Sequence, residues 1–312
     1  MCWVLLGPTA SGKTKVSLEL ARRHRVELVS VDSMQVYRGM DIGTAKPSLD
    51  ERRQAVHHLI DVAEPEESFS AGRFCRLAEH AIKQILARGN QPLLLCGTPL
   101  YLKALLWGLF EGPPADVRFR EQLRRQAQML GAAHLHRRLA EVDPEAASRI
   151  SENDMRRIER ALEVYELTGK PISAQQGQFA GPPRRRHAGV GLSWPREVLY
   201  QRIERRVDDM MAEGLLEEVR SLAPRLGPQA RQAVGYKELL AHLEGGGSLE
   251  GAVELIKRNS RRLAKHQLTW FRHFPGIRWV EVSGAMSFEG IAGQCEFNFT
   301  EGLDHLVDIR YH

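Results

Sequence analysis

Over the first hundred residues of this 312-residue chain, apolar and polar positions alternate in blocks. Short apolar runs occupy 2–6 (Cys2-Trp3-Val4-Leu5-Leu6), 26–31 (Val26-Glu27-Leu28-Val29-Ser30-Val31), 58–62 and 93–97. Runs of this length, bounded by polar turns, predict buried strands. Between them, 13–24, 70–88 and 99–107 carry apolar residues at three- and four-residue spacing and predict amphipathic helices. Arg88-Gly89-Asn90 supplies a helix stop before the next strand. Strands alternating with helices predict a parallel sheet with helices packed on it. Ligands of such sheets gather at the carboxyl ends of the strands. The residues there are Gly7–Thr14, Asp32-Ser33 and Gly97-Thr98.

The pattern then changes. Gly112-Pro113-Pro114 interrupts it, and from about 115 to 169 the periodicity is helical only, rich in Arg and Glu. Gly181-Pro182-Pro183 with Arg184-Arg185-Arg186 marks a second boundary, after which Val190–Trp194 reads as a strand again. Helices are predicted over 195–211, 213–223, 236–244 and 249–272, and a last strand over 278–282. The expected fold is therefore α/β: a parallel sheet like that of phosphate-loop NTPases, with flanking helices and an all-helical insertion domain. Residues 1–112 and 187–284 would form the core, 113–186 the insertion, and 285–312 a weakly periodic tail to which no role is assigned.

Composition narrows the class. A hydrophobic content of 43% and a charged content of 27% are those of a water-soluble globular protein. The most apolar region, Leu93–Phe110, is broken by Gly97, Pro99, Lys103 and Gly108, so no membrane span is expected. The first strand begins almost at the first residue, which leaves no room for a signal peptide. Cys2, Cys75, Cys96 and Cys295 form no C-x-x-C pair and read as reduced thiols of a cytoplasmic protein. A net charge of +5, from 44 basic and 39 acidic residues, favours a nucleic-acid partner only weakly.

The chemistry is concentrated at Gly7-Pro8-Thr9-Ala10-Ser11-Gly12-Lys13-Thr14, a full phosphate-loop motif between a strand and a helix. Its glycines let the backbone curl so that successive N–H groups and the helix N-terminus face an anion. Lys13 would meet phosphate charge, and the Thr14 hydroxyl could hold Mg²⁺. A di- or triphosphate ligand is expected, in the manner of ATP- and other nucleotide-binding loops. Yet Leu93–Thr98 ends without the acid that nucleotide hydrolases place on a second strand, and the GTPase base-reading motifs are missing. Asp32 ends the neighbouring predicted strand. Taken alone it is more often a turn or cap residue; beside a phosphate loop it can serve as a general base. Leu102, Leu105 and Leu106 could wall a dry pocket for a transferred group, although each alone is ordinary core.

Basic clusters follow. Arg118, Arg120, Arg124, Arg125, His136-Arg137-Arg138, Arg156-Arg157 and Arg160 lie in the insertion, where Glu141, Glu159 and Glu163 could balance them as a solvated surface. Lys257–Arg272 is a basic helix with no acid along it, which favours contact with a phosphate backbone.

Several segments together carry a resemblance. They are G-P-T-A-S-G-K-T at 7–14, S-V-D-S-M-Q-V-Y at 30–37, R-G-M-D-I-G-T-A-K-P at 38–47 and C-G-T-P-L-Y at 96–101. R-R-I-E-R-A-L-E-V-Y at 156–165, V-G-Y-K-E at 234–238 and L-A-K-H-Q-L-T-W-F-R at 263–272 complete the set. Over about residues 4–282 the chain resembles the bacterial tRNA dimethylallyltransferases, the tRNA isopentenyltransferase family. The resemblance implies transfer of a dimethylallyl group from dimethylallyl diphosphate to the exocyclic amine of the adenine 3′ to the tRNA anticodon. It implies Asp32 as the base, with Thr98 beside it and Thr9 and Thr98 lining the reaction channel. Gly7, Pro8, Thr9, Ala10, Ser11, Gly12, Lys13, Thr14 and Arg206 would hold the diphosphate, with Mg²⁺ on Thr14 and phosphate oxygens. Asp32, Ser33, Met34, Gln35, Arg120, Arg156, Arg157, Ile158, Glu159, Arg160, Gln232, Gly235, Tyr236 and Lys237 would meet the tRNA anticodon loop. A monomer is expected. Cys96 replaces a glycine of some relatives and Gln232 a basic residue of others, and the zinc finger of eukaryotic forms has no counterpart here.

Three other readings compete. An adenylate isopentenyltransferase acting on free AMP, ADP or ATP would share the loop and Asp32 but would not need the insertion or the basic helix. A phosphate-loop small-molecule kinase would turn over ATP. A nonenzymatic RNA-binding protein would not need an intact Lys13, Thr14 and Asp32.

Overall fold

The computed structural model describes residues 1–110, 112–175 and 181–304. Residues 176–180 of the expected insertion and 305–312 of the expected tail lie outside the described residues. The chain forms two compact units, Met1–Leu106 with the segment from Arg185 onward, and Trp107–Arg184. The sequence boundaries at 113 and 186 follow the Gly-Pro-Pro breaks instead.

The first unit opens with β1 (Cys2–Leu6), α1 (Lys13–Arg23), β2 (Val26–Val31), α2 (Leu49–Gln54), β3 (His57–His58), α3 (Ala71–Ala87), β4 (Gln91–Cys96) and α4 (Pro99–Trp107). The second unit holds α5 (Val117–Leu130), α6 (Ala132–Val142), α7 (Pro144–Arg149) and α8 (Met155–Thr168). The chain then returns to the first unit through β5 (His187–Ser193), α9 (Arg196–Ala212), α10 (Leu215–Leu222), α11 (Tyr236–Leu243), α12 (Leu249–Phe271), β6 (Ile277–Glu281) and α13 (Phe288–Asp304).

The six strands form one sheet, in the order β3-β2-β4-β1-β5-β6 with every pair parallel. Trp3, Leu5, Leu28, Leu93, Val190 and Leu192 pack with α1 and α13 residues in one core. Their alternates Val4, Leu6, Val29, Val31, Leu94 and Cys96 are equally buried. Burial on both faces explains why these strands read as continuous apolar runs. The register aligns Leu6 with Cys96 and Val31 with Cys96, so β1, β2 and β4 end level. Gly7, Asp32 and Gly97 therefore leave the sheet side by side.

Three elements depart from the sequence pattern. The strand expected over 58–62 is a two-residue pairing, because Leu59 and Asp61 turn to φ 65° and 57°, outside strand geometry. Asp61 is held there by Lys46 and Arg52 at 2.6 and 2.7 Å. Helix α2 is unpredicted, although Ser48 and Glu51 form a capping box at its start. The weakly periodic region after 284 contains α13, whose Ile291, Ala292, Cys295 and Phe299 join the sheet core; Phe299 stacks on Trp3 at 4.8 Å.

The second unit has its own core, built on Leu123, Leu135, Leu139, Ile158, Leu162 and Ile172. Asp116, Asp143 and Asp154 cap its helices by accepting backbone N–H bonds.

Candidate active site at the carboxyl edge of the sheet

The phosphate loop, Gly7–Thr14, joins β1 to α1. Its curl needs positive φ at Ala10 (62°) and Gly12 (89°). A Cβ at Gly7 would fall 2.5 Å from the Ser11 hydroxyl, so only glycine fits there. The loop's carbonyls are taken by Lys13 itself and by side chains that follow β5, and its Thr9 and Ser11 amides donate to Gln267 Oε1 and Pro8 O. Lys13 Nζ donates to the carbonyls of Gly7 and Pro8 at 2.7 and 2.9 Å. Trp194 Nε1 donates to Ser11 O at 3.0 Å, and Arg202 Nε to Ala10 O at 2.9 Å, its guanidinium lying over the Trp194 ring. The amides of Gly12, Lys13 and Thr14 open a helix, where no intrahelical acceptor exists for them.

Arg206 lies one helical turn beyond Arg202 on α9, and its Nη1 reaches Thr9 Oγ1 at 3.4 Å. Loss of water pulls the Lys13 ammonium down to about 8, and the Arg206 charge adds to that effect while Cys96 and Asp32 oppose it. Loss of water also lowers the Arg206 guanidinium, again against the charge of Asp32. Two cations held in so dry a place, with a carboxylate near them, make an anion site poor in counter-charge.

Asp32 stands at the end of β2. Its Oδ1 accepts from the amides of Met34 and Gln35 at 2.8 and 3.3 Å. Its other oxygen, Oδ2, faces Gly97, where an added Cβ would come within 2.4 Å. Thr98 Oγ1 accepts from Ser33 N at 2.9 Å and approaches Ser33 Oγ at 3.2 Å. Thr98 thus secures the segment after Asp32. Leu102, Leu105 and Leu106 are all buried.

Gln267 ties these pieces together. It is 5% exposed and sits on the apolar face of α12 with Ala264 and Phe271. Its Oε1 accepts from Thr9 N at 2.8 Å and its Nε2 donates to Gly97 O at 2.7 Å. Sequence reasoning missed Gln267, Arg202 and Trp194. A glutamine among apolar positions of an amphipathic helix was the available signal.

The segments expected to meet tRNA divide by exposure. Gln35 spends its amide internally, accepting from Ser30 Oγ at 2.8 Å and donating to the carbonyls of Thr44 and Ala45. Tyr236 is fully buried and its hydroxyl donates to Glu218. The Glu218 carboxylate also accepts from three successive amides, those of Asp41, Ile42 and Gly43, at 2.7 to 3.0 Å. Gly43 has no room for a Cβ, which would meet the Tyr236 ring at 2.5 Å. Gly235, at φ 98°, turns the chain into α11, while Gln232 and Lys237 are exposed. The acid-free stretch from Lys257 onward draws its acids from α9 and from the preceding turn of α12: Lys257 pairs with Asp208 and Glu254, and Arg261 with Glu204. Arg258, Arg262, Lys265 and Arg272 remain exposed.

In the second unit, Arg156 and Arg157 are exposed, whereas Ile158 and Glu159 are buried. Arg120 and Arg160 both grip the wholly buried Glu163, at 2.7 and 2.6 Å. Burial alone would raise the Glu163 carboxyl; the bonds from both arginines and from Asp116 N–H outweigh it and hold the group below its usual range. Arg124 pairs in the same way with Glu159.

A phosphate loop at the end of one parallel strand, with an acid at the end of another, defines a phosphate-loop α/β protein equipped to move a group off a phosphorylated donor. A family model described as IPP transferase matches residues 35–274, and one described as isopentenyl transferase matches 1–63. The chain is 50% identical over 286 residues to a tRNA dimethylallyltransferase of Geobacter metallireducens, covering 90% of this chain and 92% of that one. It superposes on the full-length tRNA isopentenylpyrophosphate transferase of Bacillus halodurans with a TM-score of 0.70 at 41% identity, over 97% and 99% of the two chains. With a eukaryotic dimethylallyltransferase acting on tRNA the TM-score is 0.81 at 27% identity, over 98% of this chain and 79% of that one. The chain belongs to the IPP transferase family of tRNA dimethylallyltransferases.

Proposed function

We propose that this protein transfers the dimethylallyl group of dimethylallyl diphosphate to the N6 amine of the adenine 3′ to the anticodon in tRNA. The observation that carries the reading is the Asp32 carboxylate, pinned through one oxygen by two amides and set beside the phosphate loop at the level end of the sheet. In the transfer, the bond between the dimethylallyl carbon and the diphosphate oxygen breaks and a carbon–nitrogen bond forms. The amine proton passes to Asp32, and diphosphate leaves with the electron pair of the broken bond. The loop amides, Lys13 and Arg206 stabilise the negative charge that develops on the leaving diphosphate. Thr9 and Thr98 flank the path between the two centres, and exclusion of water protects the allylic carbon from hydrolysis.

The residues fit Mg²⁺ carried by the diphosphate. Among the described residues no three His, Cys, Asp or Glu side chains cluster as a metal cage. The Thr14 hydroxyl at the start of α1 offers one ligand, in keeping with a metal that takes most of its oxygens from substrate phosphates and water. When bound, the ion would offset charge on the leaving diphosphate.

The N6 amine of a stacked base is out of reach, so an unpaired loop is the natural acceptor. Arg156, Arg157, Gln232, Lys237 and the exposed cations of α12 are the candidate RNA contacts. Among the described residues no helix is long and apolar enough to cross a membrane, and the four cysteines are unpaired. The test offers labelled dimethylallyl diphosphate with Mg²⁺ to tRNA, AMP and ATP separately. Label in tRNA with one diphosphate released per transfer supports the reading. Label in AMP would reassign the protein to free nucleotides, and ATP turnover without prenyl transfer would make it a kinase.

A further inference from the structure

Gln267 bonds to both halves of the site at once. Its carbonyl oxygen takes the Thr9 N–H, and its amide nitrogen gives to the Gly97 carbonyl. The first bond turns Thr9 so that its amide points to α12 while its hydroxyl meets Arg206. The second bond holds the peptide between Gly97 and Thr98, directly against Asp32 Oδ2 and one residue from the hydroxyl that anchors Ser33. Both groups bonded to Gln267 belong to backbone that no strand ladder reaches, since β1 ends at Leu6 and β4 at Cys96.

The demand on the residue type is narrow. The position needs one acceptor and one donor at the end of a side chain long enough to leave the helix. Glutamate lacks the donor, asparagine is a methylene shorter, and an apolar residue would strand a buried N–H and a buried C=O. The glutamine is fixed at its other end by α12, whose Ala264 and Phe271 are fully buried on the same face.

We propose that Gln267 is a positioning residue for the transfer: it sets the spacing between the phosphate loop that holds the donor and the Asp32–Thr98 edge that receives the acceptor amine. The proposal rests on the transfer reaction described above. Displacing one reacting partner by about an ångström costs on the order of 100-fold in rate. It leaves the exposed surface that meets RNA unchanged.

The test compares the full-length wild type with Gln267→Met, which removes both bonds, and Gln267→Glu, which keeps only the acceptor for Thr9 N–H. Single-turnover transfer, KM for tRNA, affinity for inorganic diphosphate by calorimetry and the melting temperature are measured on each. For Gln267→Met, transfer falls about 10- to 100-fold, diphosphate binds several-fold more weakly, and the KM for tRNA stays within about twofold. For Gln267→Glu, the carboxylate faces the Gly97 carbonyl and adds negative charge beside the phosphate loop, so transfer falls and diphosphate also binds more weakly. Variants that remain folded at the assay temperature and keep both transfer and diphosphate affinity within about twofold of wild type would overturn the proposal. If Gln267→Met does not fold, Gln267→Glu decides by the same criteria. If the wild type transfers nothing, the assigned reaction fails, and diphosphate affinity alone still decides whether Gln267 shapes the loop.

Discussion

Lys13 and Gly97 show how single residues shape this site. Lys13 is dry enough that its ammonium titrates near 8 instead of 10.5. Above about pH 8 the free protein loses this charge, so the advantage in diphosphate affinity of the wild type over Lys13→Met shrinks as pH rises, a comparison in which the ligand's own titration cancels. Calorimetry of both proteins with inorganic diphosphate from pH 7 to 9.5 checks this, and an unchanged difference across that range would contradict it. Folding responds in the opposite sense: the native state gives up the proton before the unfolded chain does, so this group's contribution to stability rises between about 8 and 10.5. Gly97 makes room for the Asp32 carboxylate. Gly97→Ala puts a methyl group 2.4 Å from Oδ2 while Oδ1 is held by two amides. Transfer should drop about 100-fold, and the overlap should lower the melting temperature as well. Phosphate loop, Asp32 and Thr98 were legible because their residue types sit at strand ends. Gln267 was not, because its partners are backbone groups more than a hundred residues away.

At the scale of elements, Glu218 holds a loop that has no regular structure of its own. The carboxylate gathers three amides of residues 41–43 and the Tyr236 hydroxyl, joining the G-M-D-I-G-T-A-K-P segment to the start of α11. Glu218→Ala strands these donors and should cost about 2 kcal/mol or more in urea unfolding. In the second unit Glu163 plays a similar part for Arg120 and Arg160. Its carboxyl is held low by those partners, so the stabilisation is present above the ordinary carboxylate range and fades as pH falls through the depressed value. Glu163→Ala leaves two arginines facing an empty centre and should cost about 3 kcal/mol at neutral pH, with the loss much smaller in strong acid. Chemical denaturation at pH 7 and near pH 2 measures both. These two elements also mark what sequence periodicity misses. The bonds of Arg120 and Arg160 to the buried Glu163 left no mark in the sequence pattern. Helix α13 hides because its buried positions, Ile291, Ala292, Cys295 and Phe299, are interspersed with glycines that blur the apolar stripe.

For the whole molecule, the parallel sheet was legible because strands buried on both faces leave unbroken apolar runs, and helices packed on them leave a clear period. The strand order was not, since β4 inserts between β1 and β2 by a pairing that no local signal encodes. That insertion brings Gly97 and Thr98 between the phosphate loop and Asp32. The exposed arginines of both units predict that tRNA affinity falls with salt. Arg156→Ala with Arg157→Ala should weaken binding across all tRNAs and lower the slope of log affinity against log salt by about one to two. A slope equal to that of the wild type would remove those residues from the interface. The central claim, that Asp32 takes the proton of a tRNA adenine beside a loop-bound diphosphate, is tested most directly by single-turnover transfer of label to unmodified tRNA, with nuclease mapping of the product. Wild type should label the adenine 3′ to the anticodon and leave AMP unlabelled, while Asp32→Ala binds diphosphate normally yet transfers at least about 100-fold more slowly. Undiminished transfer by Asp32→Ala, or label at any other position, would contradict the account.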